Sequence, residues 1–309
     1  MSPSTVPTTL IRPLTEHDFE AVVALDQRTT GRARRGYFEK RLAAAHRHPR
    51  RHLQLAATTP NGLAGFALAR RAGGEQGRKE EVLVLESVGV DLPMQHVGLG
   101  RRIMAGVEEL AGARSIHAIV THVDWRNHAM LRFIAGAGFS LAPTQVLERA
   151  VERLVPRTEE EIEREPPMVR NLRATDLDAI ARIEQEIMGH DRRDYLARKI
   201  DEVLNESAIA VSLVVEDDGF VVGHAMSRVD FGDFGNLEPT ASLDTFGVKP
   251  GFSGKGLARA LLTQMIDNLA ILDVQRLETE VSRENFGLLG FFYRFGFGPS
   301  QRLSFQRTL

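Results

Sequence analysis

The chain has 309 residues, 43% hydrophobic and 26% charged, with a net charge of −2 and no cysteine. That composition suits a soluble globular protein with room for two domains; it gives no general basic footprint for nucleic acid, and it excludes disulfides, thiolate nucleophiles and cysteine-ligated zinc. The opening MSPSTVPTTL lacks the basic start and apolar core of a signal peptide, and no run of about 18 apolar residues could span a membrane, so a cytoplasmic protein is expected.

In chain order, a short strand at IRPL precedes an amphipathic helix carrying Phe19, Val22 and Val23, and a second helix follows around GYFEKRLAAA. Strands LQLAAT and GFALARR come next, joined by the hairpin-like turn TPNG, and then a third strand, VLVLESVGV. A glycine-bearing turn opens the long helix GRRIMAGVEELAGA, followed by the strand AIVTHV. A helix starting near Asn127 runs to Gly138-Phe139, and a last strand is expected to close the unit. The same order then recurs from VRNL onward, with Leu177, Ile180 and Ile183 on the first helix, the turn EDDG in the hairpin and ARALLTQMIDNLAI as the long helix.

One shift relates the two runs. Gly247 follows Gly89 by 158 residues, and the same shift carries Arg12 to Arg170, Tyr37 to Tyr195, Leu85 to Leu243, Gly98 to Gly256, Asn127 to Asn285 and Phe139 to Phe297. A register held over most of the chain is the signature of duplication. It divides the chain into an N-terminal unit (1–153), an acidic, proline-containing linker (154–168) and a C-terminal unit (169–309). The order β-α-α-β-β-β-α-β-α-β implies an α/β (α+β) fold of two tandem units. Each is a mixed, mostly antiparallel central sheet flanked by about four helices.

The strand VLVLESVGV and its counterpart in the second unit each end in a turn that opens a helix: Val90-Asp-Leu-Pro-Met-Gln95-His-Val-Gly98-Leu-Gly100 and Val248-Lys-Pro-Gly-Phe-Ser253-Gly254-Lys255-Gly256-Leu257-Ala258. Glycine lets backbone approach a phosphate, and the free amides and dipole of the first helical turn favour an anion there. A dinucleotide fingerprint would need a third glycine where Ile103 stands, and a Walker loop would need Ser or Thr after Lys255.

Both units resemble the GCN5-related N-acetyltransferase (GNAT) superfamily over nearly the whole chain. The signature Gln/Arg-x-x-Gly-x-Gly/Ala is met by Gln95, Gly98 and Gly100; in the second unit Gly256 and Ala258 meet it, with Ser253 in place of Gln or Arg. The family's downstream Asn…Tyr…Gly-Phe pattern is present apart from its tyrosine, which Ile134 and Phe292 replace. The resemblance implies an N-acetyltransferase using acetyl-CoA as co-substrate and a small-molecule amine as acceptor, by direct transfer with a carboxylate general base. The chain would be a monomer or homodimer without nucleic-acid or membrane partners. Cofactor contacts would come from Val88, Val90, Gln95, Gly98, Gly100 and Asn127 in one unit. In the other they would come from Phe246, Gly247, Val248, Ser253, Gly254, Lys255, Gly256, Leu257, Ala258 and Asn285.

For the chemistry, Glu86 and Asp244 are equivalent under the repeat and sit in otherwise apolar strands, where a carboxylate would have a raised pKa and could act as base through a water. Tyr293 lies one residue beyond the family's tyrosine position and is the candidate acid. The C-terminal unit is favoured as catalytic because it holds Val248-x-Pro250, Gly254, Gly256 and a nearby tyrosine. The alternatives are an acyl-CoA-binding module without turnover and a protein or peptide N-acetyltransferase. The histidines of HRHPRRH (His46, His48, His52) read as a basic helix end and loop, so no metal is expected. Tyr37 and Tyr195, beside arginine pairs, read as packing with solvated charge, and Phe291, Phe292 and Phe295 as core.

Overall fold

The computed structural model describes residues 8–32, 34–73, 81–152, 167–207, 209–231 and 239–309. Most of the linker and residues 232–236 of the glycine-rich stretch FGDFGN, expected from the sequence to form a loop that lines a pocket, lie outside the described residues. The first half comprises β1 (Leu10–Pro13), α1 (Phe19–Thr30), α2 (Arg35–Arg47), β2 (His52–Thr59), β3 (Gly62–Gly73), β4 (Glu81–Val90), α3 (Leu99–Gly112), β5 (Ala118–Asp124), α4 (His128–Gly136), β6 (Ser140–Leu141) and β7 (Thr144–Ala150). The second repeats it: β8 (Met168–Asn171), α5 (Leu177–Met188), α6 (Arg193–Asn205), β9 (Leu213–Asp217), β10 (Phe220–Phe231), β11 (Pro239–Val248), α7 (Leu257–Ile271), β12 (Arg276–Ser282), α8 (Phe286–Arg294), β13 (Gly298–Pro299) and β14 (Arg302–Thr308). No helix among the described residues is long and apolar enough to cross a membrane.

Strand alternation sets the layers. In β3, Ala67 and Ala69 join a core with Ile103, Met104 and Val107 of α3, while Phe66 and Leu68 face Leu25 of α1 and Phe38 of α2. Each sheet is thus sandwiched between helices, and the same layering recurs around Leu261, Met265 and Leu269 of α7. The start of each unit is pinned by a bidentate ion pair, Arg12 on Asp18 and Arg170 on Asp176, with N···O distances of 2.7–2.8 Å. The Arg12 guanidinium and the Thr15 donors hold the Asp18 carboxyl well below the usual carboxylate range.

The two seven-stranded sheets have the orders β1-β2-β3-β4-β5-β14-β6 and β13-β7-β12-β11-β10-β9-β8. All pairings are antiparallel except β4–β5 and β11–β12. The last strands do not close their own units, contrary to the sequence expectation. β7 pairs with β12 from Thr144–Ser282 to Ala150–Arg276, and β14 pairs with β5 from Arg302–Asp124 to Thr308–Ala118. The chain turns away after the two-residue β6, at Pro143, which fixes φ and lacks a donor for the ladder. The exchange obeys the repeat shift in both directions, so the halves are related by an approximate two-fold arrangement.

Candidate functional site: a cleft between parting strands

The two parallel pairings are short. β4 and β5 are in register only at Leu83–Ile119 and Val84–Val120, and β11 and β12 from Thr240–Arg276 to Leu243–Thr279. At the parting point a threonine hydroxyl donates to the neighbouring strand in each half, Thr121 to Leu85 O and Thr279 to Leu243 O, both at 2.9 Å. Beyond it lies an opening between the strands. In the first half this is a cavity of about 590 Å³ whose walls include Glu86, Val88, His122, Asn127, Met130 and Ile134. Because of the strand exchange, Glu148 of β7, Glu278 of β12 and Arg302 of β14 wall the same cavity.

In the second half aromatic rings cluster at the corresponding positions. Phe246 lies 5.3 Å from Phe291 and 6.0 Å from Phe292, and Phe291 lies 4.6 Å from Phe295, centroid to centroid. Their counterparts in the first half are Val88, Phe133, Ile134 and Ala137. Three of the four positions are therefore larger in the second half, and the expected core role of Phe291, Phe292 and Phe295 is what these contacts describe.

The glycine turns have one geometry. Gly98 (φ 88°) and Gly256 (φ 78°) are the left-handed caps of α3 and α7. Two residues earlier, Gly254 (φ 79°) and His96 (φ 64°) also have positive φ, so His96 adopts without a glycine the strained conformation that its counterpart adopts freely. The first intrahelical bonds close at Arg102 N to Gly98 O and Ala260 N to Gly256 O, so the amides of the first turn point out of the helix toward the loop. Alternating positive-φ residues and free amides make an anion-binding concavity. The Gln95 side chain donates to Val90 O at 2.9 Å, tying the turn back to the strand end. Ser253 closes its own turn, its hydroxyl donating to Pro250 O at 3.0 Å, while Lys255 sits over the Phe252 ring and 3.3 Å from Asp217. Gly100 is needed for close approach: a Cβ there would lie 2.7 Å from the Phe133 ring. Ala258 stands at the equivalent site.

This geometry can be set beside known proteins. The sequence profile described as the acetyltransferase (GNAT) family matches residues 16–139 and 177–297, more than half of the chain. The chain belongs to the GNAT family. Among solved structures, a GNAT from Sphaerobacter thermophilus is similar with a TM-score of 0.64 at 16% identity, over 97% of this chain and 95% of that one. A tandem GNAT protein from the clavulanic acid biosynthesis pathway superposes with a TM-score of 0.67 at 12% identity, over 97% and 98% of the two chains. The glucosamine N-acetyltransferase region of a fungal multi-domain GH3 β-N-acetylglucosaminidase gives 0.68 at 12% identity, over 97% of this chain and 38% of that one. At these identities the likeness is one of fold.

Within the GNAT frame, Asn127 and Asn285 are N-caps, their Oδ1 accepting from Met130 N at 3.0 Å and Leu288 N at 3.1 Å. Asn127 also lines the cleft. Glu86 and Asp244 occupy matching β-bulges: Leu68 pairs with Ser87 and Ala69 with Leu85, skipping Glu86, and the second half skips Asp244 in the same way. A bulge turns one side chain out of the ladder. The apolar surroundings expected from the sequence are not what these side chains meet. Glu86 Oε1 lies 2.9 Å from Arg70 and 3.1 Å from Arg41, and Arg228 of the second half lies 3.9 Å away. Asp244 Oδ2 lies 2.7 Å from Lys199 Nζ, which is itself 3.0 Å from Glu202.

These groups form one buried ionic network across the approximate two-fold, with Arg70 and Arg228 both facing Glu202 at 3.8 and 3.5 Å. Burial raises the Glu202 pKa, but the charges of Lys199, Arg70 and Arg228 outweigh it and hold the carboxyl well below its usual range. His52 lies at the edge of the network; burial first, then Arg41 and Arg70, push its pKa down to about 3.

Tyr293 is 44% exposed, and its hydroxyl lies 3.4 Å from Gln145 Nε2. Phe292, at the family's tyrosine position, is 1% exposed, and its counterpart Ile134 gives the first-half cleft an apolar wall. The arginine pairs beside Tyr37 and Tyr195 divide their roles. Arg34 and Arg192 are buried over the tyrosine rings at 5.2 and 4.6 Å, and Arg35 and Arg193 form outer ion pairs with Glu20 and Asp178.

Sequence reasoning missed His122. It lines the cleft, and its Nε2 lies 3.3 Å from Glu280 Oε2. Ser304 of β14 donates to the other Glu280 oxygen at 2.7 Å. The two are repeat equivalents, 122 and 280, and that shared position was the available signal.

Proposed function

We propose that the first half is the working site of an acetyl-CoA-dependent N-acetyltransferase acting on a small amine. The reading rests on the cleft: the first half opens between β4 and β5, and β4 is the strand that leads into the positive-φ turn at His96–Gly98, while phenylalanines cluster at the matching positions of the second half. In this reading the amides of Leu99, Gly100 and Arg101 receive the pyrophosphate of acetyl-CoA, and the Val88 strand edge and Asn127 hold its arm. The Gly256 turn becomes a structural remnant. The acceptor enters from the side walled by Glu148, Glu278 and Arg302, so the second half supplies part of the acceptor wall.

An ammonium has no lone pair, so the acceptor must first lose a proton. His122, oriented by Glu280, takes that proton, directly or through one water. The freed nitrogen attacks the thioester carbonyl; its C–N bond forms as the C–S bond breaks and the thiolate leaves. Glu86 serves as an anchor for Arg41 and Arg70. With Ile134 and Phe292 in place of a tyrosine, water protonates the thiolate.

Calorimetry with acetyl-CoA is expected to give one site per chain. Val88→Phe, which copies the plug of the second half, should abolish that binding while leaving the fold intact, and Phe246→Val should leave the stoichiometry at one. Two sites in the wild type, or binding unaffected by Val88→Phe, would remove this assignment. A thiol-release assay over an amine panel tests turnover. His122→Asn should lower kcat by about 10²–10⁴-fold with little change in acetyl-CoA affinity, and part of the loss should return at alkaline pH, where free amine is abundant. Saturable binding with no turnover on any amine would favour a binding module.

A further inference from the structure

The loop HRHPRRH ends at an unexpected neighbour. His48 is the C-cap of α2, and its repeat counterpart Glu206 is the C-cap of α6, so the approximate two-fold brings two helix C-termini together. The His48 Nε2 atom lies 3.7 Å from Glu206 Oε1 and 3.9 Å from Asp201 Oδ2, and the three atoms lie within 4.8 Å of one another. The Glu206 side chain is only 9% exposed, and its Oε1 receives no hydrogen bond. Burial, and then the negative charge of Glu202, raise its pKa. Asp201 has its other oxygen fixed, since Oδ1 accepts from Asn205 Nδ2 at 2.8 Å.

We propose that His48, Asp201 and Glu206 form a divalent-cation site, of the zinc class, that clasps the two halves together. One imidazole and two carboxylates are a suitable donor set, with water completing the shell. Zinc ligands at about 2.0–2.2 Å in tetrahedral geometry sit roughly 3.3–3.6 Å apart, so the two His48 distances need to contract by a few tenths of an ångström and the two carboxylates, within 4.8 Å of each other, by at most about 1.5 Å. The negative ends of α2 and α6 both favour a cation at this place. The hydrogen bond from Asn205 orients the Asp201 carboxylate, as a supporting contact does in metal sites. Arg51, whose Nη1 lies 3.6 Å from Asp201 Oδ2, is the competing charge and must swing aside when the cation enters.

The test uses the full chain, free of any histidine tag and stripped with chelator. Titration with zinc chloride is expected to show one saturable site and a rise in thermal midpoint with zinc concentration. His48→Ala and Glu206→Gln should each weaken that site about 10–100-fold, and Arg51→Ala should tighten it. His46→Ala, which removes an exposed neighbour 3.5 Å from Glu16, should change neither reading. No saturable zinc binding by the wild type, or binding that persists unchanged in both His48→Ala and Glu206→Gln, would overturn the site and leave a charge cluster only.

Discussion

Removing residues 302–309 is expected to damage the half of the molecule to which they do not belong in sequence. β14 lies between β5 and β6 of the first sheet, paired with β5 from Arg302–Asp124 to Thr308–Ala118. Its loss strips β5 of one neighbour, uncovers the partly buried Phe305 packed on the first core, and removes Ser304 from Glu280 and Arg307 from Glu108. A lost central strand costs several kcal/mol, a large share of the roughly 5–15 kcal/mol that holds a domain together. Hydrogen exchange locates the damage: amides of 118–124 should lose protection far more than those of 276–282, which keep β7 and β11 as neighbours. The cleft, walled by Arg302, should fail with it. Greater loss of protection at 276–282 than at 118–124 would refute the exchange.

Lys199→Met should be the most destabilising single change in the interior. Lys199 is 1% exposed and stands between Asp244 at 2.7 Å and Glu202 at 3.0 Å. Methionine fills the same volume but removes the cation shared by two mostly buried carboxylates, leaving Glu202 with Arg70 and Arg228 alone, a loss of about 3–5 kcal/mol. For domains of this size that lowers the thermal midpoint by on the order of 10 °C. Adding Asp244→Asn to Lys199→Met should return part of the loss, and the double-mutant cycle measures the coupling. The pH dependence has a definite sign. The Glu202 pKa is depressed in the folded state, so its ionisation stabilises the protein near neutral pH, and that contribution is lost as pH falls through the folded-state pKa. Without Lys199 one of the pulls is gone and the acid dependence should flatten. An unchanged midpoint would mean that the network holds nothing together.

Much of this was legible before any coordinate. The register of 158 residues predicted two equivalent halves, and matching ion pairs, bulges, caps and turns all obey it. The order of elements along the chain followed from hydrophobic periodicity, and the mixed sheet from the long connections between its central strands. What the repeat could not reveal is which copy of a strand pairs where. β7 and β14 carry the same positions, so a pairing within a half and a pairing between halves read identically from the chain. The charge network was hidden for a related reason: its two parts, Arg41, Arg70 and Glu86 in one half and Lys199, Glu202 and Arg228 in the other, join only through Arg70–Glu202 and Arg228–Glu86 across the two-fold. The preference for the second half came from scoring its turn. We propose the first half instead on the gap beyond the turn, where Val88, Ile134 and Ala137 become Phe246, Phe292 and Phe295.

The exchange of last strands also explains how, under the function proposed above, a half without a working site persists. A separate partner subunit would have to be found by diffusion, whereas a tethered one is present at a fixed high effective concentration. Once fused, neither half can complete its sheet alone. Under the function proposed above, the second half is free to lose its own ligand, and selection on the first half would still act on β12, β14 and the walls they supply. Divergence is open to one half, but departure is not.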